Sequence, residues 1–131
     1  MKEILLDTHA FLWWVLEPEK LPSRLFAALS DPETRIVLSV ASSWEAQIKM
    51  GLGKLVLDLP LQSIIEHEVQ TNLWEILPVH LRHTWALSKL PSLHRDPFDR
   101  LLIAQAMEEG LTLATRDSLI IQYAQVNTIW E

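Results

Sequence analysis

The chain has no cysteine, which excludes disulfide staples and thiolate metal sites. It has no uncharged apolar run of the roughly 18 to 20 residues that a membrane helix needs, so no spanning segment is expected. A secretory leader is not expected either, because the short apolar run after Lys2 and Glu3 is interrupted by Asp7. Basic residues are in deficit: 11 Lys and Arg against 17 Asp and Glu give a formal net charge of -6. That balance argues against a broad phosphate-binding face. Internal repeats, low-complexity tracts and linkers are missing as well. The expectation is one soluble, cytoplasmic domain covering residues 1–131.

What is present is core. The hydrophobic fraction is 49% and the charged fraction 21%, a balance typical of a folded globule. Short apolar runs at 3–7, 36–40, 74–79, 111–115 and 126–130 read as strands. Between them, helices are expected at 9–16, 22–30, from Ser42 or Ser43 to about Met50, 61–72, 80–90, from Asp96 or Pro97 to Glu109, and 118–123. Gly51 and Gly110 are natural stops for two of these helices. Strands alternating with helices imply a parallel sheet covered on both faces. Functional residues then belong at the carboxyl ends of the strands.

Four acids lie where strands end or helices begin: Asp7, Glu45, Asp99 and Asp117. Each has a structural explanation. Asp7 and Asp117 can cap the helices that follow them. Ser42-Ser43-Trp44-Glu45 fits a capping box. In His94-Arg95-Asp96-Pro97-Phe98-Asp99-Arg100, Asp96 fits the cap and Pro97 the first helical position, which leaves Asp99 to the helix dipole. Gathered in one place, the four would repel one another unless a hard divalent cation sat between them. The alternation gathers three. Simple topology puts Asp99 on the other edge of the sheet, unless its helix tilts over that edge.

Lys49, Arg95, Arg100 and Arg116 lie within a few positions of the acids, either as a basic rim or as ordinary solvated side chains. The five histidines are dispersed; His9 and His94, near the motifs, are expected to pack or hydrogen-bond and not to ligate. Six tryptophans are expected in core or interface, and the adjacent Trp13 and Trp14 cannot share one narrow helix face. Oxygen-only donors suit Mg²⁺ or Mn²⁺ and not zinc.

Asp7-Thr8-His9, Ser42-Ser43-Trp44-Glu45, the His94–Arg100 block with Leu101-Leu102-Ile103-Ala104-Gln105-Ala106, and Thr115-Arg116-Asp117 together resemble a PIN-domain ribonuclease. The resemblance is to the VapC-type toxins of toxin–antitoxin pairs, and the Asp-Pro-Phe-Asp-Arg block is its most specific part. It implies a three-layer α/β/α fold with a central, mainly parallel sheet of four to five strands. It implies Asp7, Asp99 and Asp117 as ligands of one or two Mg²⁺ or Mn²⁺ ions, with Glu45 either a ligand, directly or through water, or the group that orients the nucleophile. Thr115 matches a hydroxyl near the metal, and Asp99 joins the other acids. The resemblance further implies RNA cleavage by metal-activated water, inhibition of translation or growth, a homodimer and a cognate antitoxin.

Two other readings stand beside it. One is a catalytically idle PIN-type module that binds RNA or protein. The other is an aspartyl phosphatase, which would want a second Asp at the position that His9 occupies.

Overall fold

Ile4-Leu5-Leu6 and Ile36-Val37-Leu38 are buried at every position, as strands covered on both faces must be. In a computed structural model describing residues 2–131, they lie in β1 (Glu3–Leu6) and β2 (Arg35–Ser39). These pair in parallel with β3 (Glu75–Leu77), β4 (Thr112–Ala114) and β5 (Thr128–Ile129) in the order β3-β2-β1-β4-β5. Leu5 is in register with Val37 and Leu113. The central strands are the longest; the edge strands have three and two residues.

Period-two alternation divides the core. Ile4, Leu6, Ile36 and Leu38 pack with Phe11, Leu25, Ala46 and Leu61, which come from α1 (Thr8–Leu16), α2 (Ser23–Ser30), α3 (Val40–Gly51) and α4 (Leu61–Thr71). Leu5, Val37 and Leu113 pack on the opposite face with Ala86, Leu102, Ile103 and Ile120. Those belong to α5 (Leu81–Ala86), α6 (Pro97–Glu109) and α7 (Ser118–Ile121). The three-layer α/β/α expectation is met, with five strands. Among the described residues, no helix is long and apolar enough to cross a membrane.

Three local expectations fail. Helix α3 starts at Val40, not after Ser42 or Ser43, because Ser39 at the end of β2 caps it by accepting from Ala41 N at 3.0 Å. No capping box forms at Ser42–Glu45, which releases Glu45 for other partners. Helix α5 ends at Ala86 and a 3-10 turn (Leu87–Lys89) follows it. It buries His83 and Ala86 and leaves Leu81 and Trp85 exposed. The cause is polar: His83 Nε2 lies 2.8 Å from Glu109, and His83 Nδ1 accepts from His80 N at 3.0 Å.

The third failure concerns Asp99. Helix α6 returns the chain to the amino edge before β4, so Gly110 lies in a groove with Lys2 and Thr112 while Asp99 lies with Asp7 and Asp117. A crossover helix runs antiparallel to the strands it connects, and its N-terminus therefore starts at their carboxyl edge. Ordinary topology places Asp99 with the other acids, and no tilt is needed.

Candidate metal centre

Strand β1 ends at Leu6, and the next residue, Asp7, turns the chain into α1. Its Oδ1 accepts from Ala10 N at 2.7 Å, so capping fixes the carboxylate over the sheet edge. Asp117 is held the same way: β4 ends, Asp117 N donates to Thr115 Oγ1 at 3.1 Å, and Oδ1 accepts from Leu119 N at 2.8 Å. Capping and site geometry are one arrangement here, because each cap uses Oδ1 and leaves Oδ2 to the cleft. Asp96 caps α6 through Phe98 N and Asp99 N. Asp99, in the first turn, is then free to face inward.

Glu45 projects from the second turn of α3. Thr8 Oγ1 donates to Glu45 Oε1 at 2.6 Å and lies 3.1 Å from the buried Ser42 hydroxyl. Lys49 Nζ is 3.5 Å from Glu45 Oε2. Asp7, Glu45, Asp96, Asp99 and Asp117 line one cleft of about 300 Å³ with Thr8, His9, Lys49 and Arg116. A larger groove of about 620 Å³ at the amino edge is lined by Lys2, Arg24, Asn127 and neighbours, with Glu3 as its one carboxylate. The carboxylates gather in the smaller cleft.

Charge in the cleft is unbalanced, and the carboxyl groups respond. Burial raises Asp7 from 3.8 to about 6, against hydrogen bonds from Ala10 N and the Thr115 hydroxyl, with Asp117 and Glu45 adding repulsion. Burial, then the charge of Asp96, raises Asp99 from 3.8 to about 7. For Asp117 burial is outweighed by hydrogen bonds from His94, Leu119 N and Ile120 N, which hold its carboxyl below the ordinary range. Buried oxygen donors short of positive charge fit a hard divalent cation.

His94 stands inside this set. Its Nε2 lies 3.0 Å from Asp117 Oδ2 and 3.1 Å from Asp99 Oδ2, and one donor atom from each of the three residues falls within 4.8 Å of the others. Of the four bases near the acids in sequence, Lys49 and Arg116 line the cleft. Arg100 turns away, to Pro91 O, Leu87 O and the Tyr123 hydroxyl, and Arg95 is exposed outside it. Arg116 rests on the Trp13 ring at 4.8 Å, and that ring also touches His9 and Trp130. Trp13 and Trp14 are both half-buried, on different neighbours: Trp14 packs on Phe26 and Trp74. Sequence reasoning missed Thr8 and Tyr123. A hydroxyl directly after a strand-end acid was the available signal for Thr8; Tyr123 gave none.

The sequence matches the PIN domain family over residues 4–126. Ribonuclease VapC22 of Mycobacterium tuberculosis is 30% identical over 99% of this chain and 100% of its own. Among solved structures, a chain of VapBC2 from Rickettsia felis bound to a promoter DNA fragment aligns with a TM-score of 0.73 at 17% identity, covering 98% of this chain and 99% of that one. DNA-bound VapBC from Salmonella typhimurium aligns at 0.69 and 15%, covering 98% of each chain. Fold, family match and chain-length identity agree: the chain belongs to the PIN domain family, among its VapC-type ribonucleases.

Proposed function

We propose that this PIN domain is a Mg²⁺- or Mn²⁺-dependent endoribonuclease, the toxin of a toxin–antitoxin pair, acting in the cytoplasm to inhibit translation or growth. The supporting observation is the shared cleft of Asp7, Glu45, Asp99 and Asp117 in a chain that matches a ribonuclease end to end. Asp7, Asp99 and Asp117 hold the cation. When bound, it supplies Lewis acidity and a more acidic water. Glu45, fixed by Thr8 and Lys49, orients the attacking water, and Thr115 keeps the Asp117 backbone in place.

In-line attack by water needs no 2′-hydroxyl; the preference for RNA rests on the relative's activity. The VapBC neighbours support an antitoxin partner. Exposed Val40, Trp44 and Ile48, spaced by four along α3, support a homodimer. Purified protein is expected to sediment as two chains and to cleave RNA with Mg²⁺ or Mn²⁺ but not with EDTA. Cleavage undiminished in EDTA would remove the metal mechanism.

Arg116, exposed on the cleft rim and stacked on Trp13, is the group we assign to a substrate phosphate. Arg116→Ala should weaken RNA binding in EDTA by about tenfold. The loss of one phosphate contact should flatten the log–log salt slope by about 0.7. Fluorescence anisotropy across a salt series measures both, and an unchanged slope rejects the assignment.

A further inference from the structure

We infer that His94 is a positioning residue: it holds Asp99 and Asp117 together at the cleft, and Tyr123 and Arg100 hold His94 in turn. The inference rests on reading the cleft as a divalent-cation site. Asp99 belongs to α6 and Asp117 to the start of α7. They meet at the cleft from different elements, and as like charges they repel. The loop before α6 places one imidazole nitrogen, Nε2, 3.0 Å from Asp117 Oδ2 and 3.1 Å from Asp99 Oδ2.

The other ring nitrogen settles what His94 does. Asp96 N donates to Nδ1 at 3.0 Å, so Nδ1 carries no proton and Nε2 does. The ring therefore donates its one N–H to Asp117 Oδ2, with Asp99 Oδ2 3.1 Å from the same nitrogen. To ligate a cation through Nε2 it would have to give up that proton while Nδ1 stays an acceptor, leaving an imidazolate. His94 orients ligands and is not one of them.

The loop is anchored from behind. His94 N donates to the Tyr123 hydroxyl at 2.8 Å, and Tyr123 is buried. Arg100 donates to the same hydroxyl at 3.3 Å and to Pro91 O and Leu87 O at 3.1 and 3.3 Å. Arg100 follows Asp99 directly on α6, so one helix carries both an acid and the guanidinium that fixes its organiser. Asp96 closes the circuit, capping α6 with its side chain and orienting His94 with its amide. The His94–Arg100 block is thus one hydrogen-bonded unit. Groups that orient metal ligands in this way commonly contribute about ten- to a hundredfold in affinity.

The test is Mn²⁺ binding by calorimetry, with thermal melting as a fold check. His94→Ala should weaken binding by about ten- to a hundredfold. His94→Gln, whose amide N–H reaches the same region, should recover most of the loss. Tyr123→Phe, which keeps the ring and removes the acceptor, should weaken binding by about threefold. Pulsed electron paramagnetic resonance of bound Mn²⁺ should show no directly coordinated imidazole nitrogen.

Wild-type affinity in His94→Ala, no recovery in His94→Gln, or a nitrogen coupling typical of a ligand would each overturn the inference. If His94→Ala does not fold, Tyr123→Phe and the resonance experiment decide. Wild-type protein that binds no Mn²⁺ would instead sink the metal reading itself, and this inference with it.

Discussion

Asp99→Asn is expected to lower metal-dependent RNA cleavage on the order of a thousandfold, about 4 kcal/mol of transition-state stabilisation, while making the metal-free protein more resistant to heat. The two effects share one cause. Asp99 is mostly buried beside Asp96 and lies near Asp7 and Glu45, and its carboxyl is raised to about 7. Above that pH the metal-free fold carries a charge that it only partly compensates. An amide of the same shape removes the charge and keeps the volume. Because Asp99 retains some solvent contact, screening reduces the gain to about 1 kcal/mol, or a few degrees in Tm for a chain of this size.

Activity falls because the amide is a poor ligand for a hard cation. Asp7→Asn should behave alike, since an amide oxygen can still accept from Ala10 N at the head of α1. Nuclease assays and metal-free melting curves read the two effects separately. Full activity in either variant would sink the ligand assignment. A lowered melting temperature would show that the acids do not repel one another in the folded protein.

Much of this architecture was legible because its strands are short, apolar and closed by capping acids. Asp7 and Asp117 show why weighing a cap against a site was a false choice: each caps with Oδ1, and the cleft uses what is left. Legibility failed where a local pattern had a distant competitor. Ser42 and Glu45 spell a capping box, yet Thr8, from a helix over thirty residues earlier, takes both side chains. Leu81 and Trp85 are the large apolar residues of α5, but His83, paired with Glu109, takes the buried position and they lie in solvent.

The signal for Asp99 was present, since a helix that feeds a parallel strand ends at that strand's amino edge and so begins at the carboxyl edge. His94 was expected to hydrogen-bond, and it does. Which groups it meets depends on a loop closed by Tyr123, far along the chain and silent in any local motif.

Acidity offers the second large effect. Without metal, the protein should become more stable as pH falls from 8 to about 5. Asp7 and Asp99 bind their protons more tightly folded, at about 6 and about 7, than at the ordinary 3.8. Between these values the folded state holds more protons than the unfolded one, so raising the pH favours unfolding. At about 1.4 kcal/mol per unit, Asp7 alone costs the fold about 3 kcal/mol above pH 6.

Two groups work in the opposite sense at lower pH. Asp117 has a lowered carboxyl, despite burial, through His94 and backbone amides, and Glu109 through its hydrogen bonds with His83 and Arg82. Their stabilisation is present above the ordinary carboxylate range and lost as pH falls through it. His9, lowered by burial and by Arg116, Lys49 and Lys20, also opposes acidification, starting below its ordinary 6.5. Metal-free stability should therefore peak near pH 5 and fall on either side.

Saturating Mn²⁺ should reverse the slope. The cation binds deprotonated carboxylates, so binding at pH 6 releases protons, and affinity should climb about tenfold per unit between roughly pH 5 and 7 for each proton released. The melting temperature gained on adding Mn²⁺ should then be small at pH 5 and large at pH 7.5. Melting curves across that range, with and without Mn²⁺, decide the matter. Metal-free protein that gains stability steadily from pH 5 to 8 would mean that Asp7 and Asp99 are not the strained charges described, and the case for a cation to relieve them would go too.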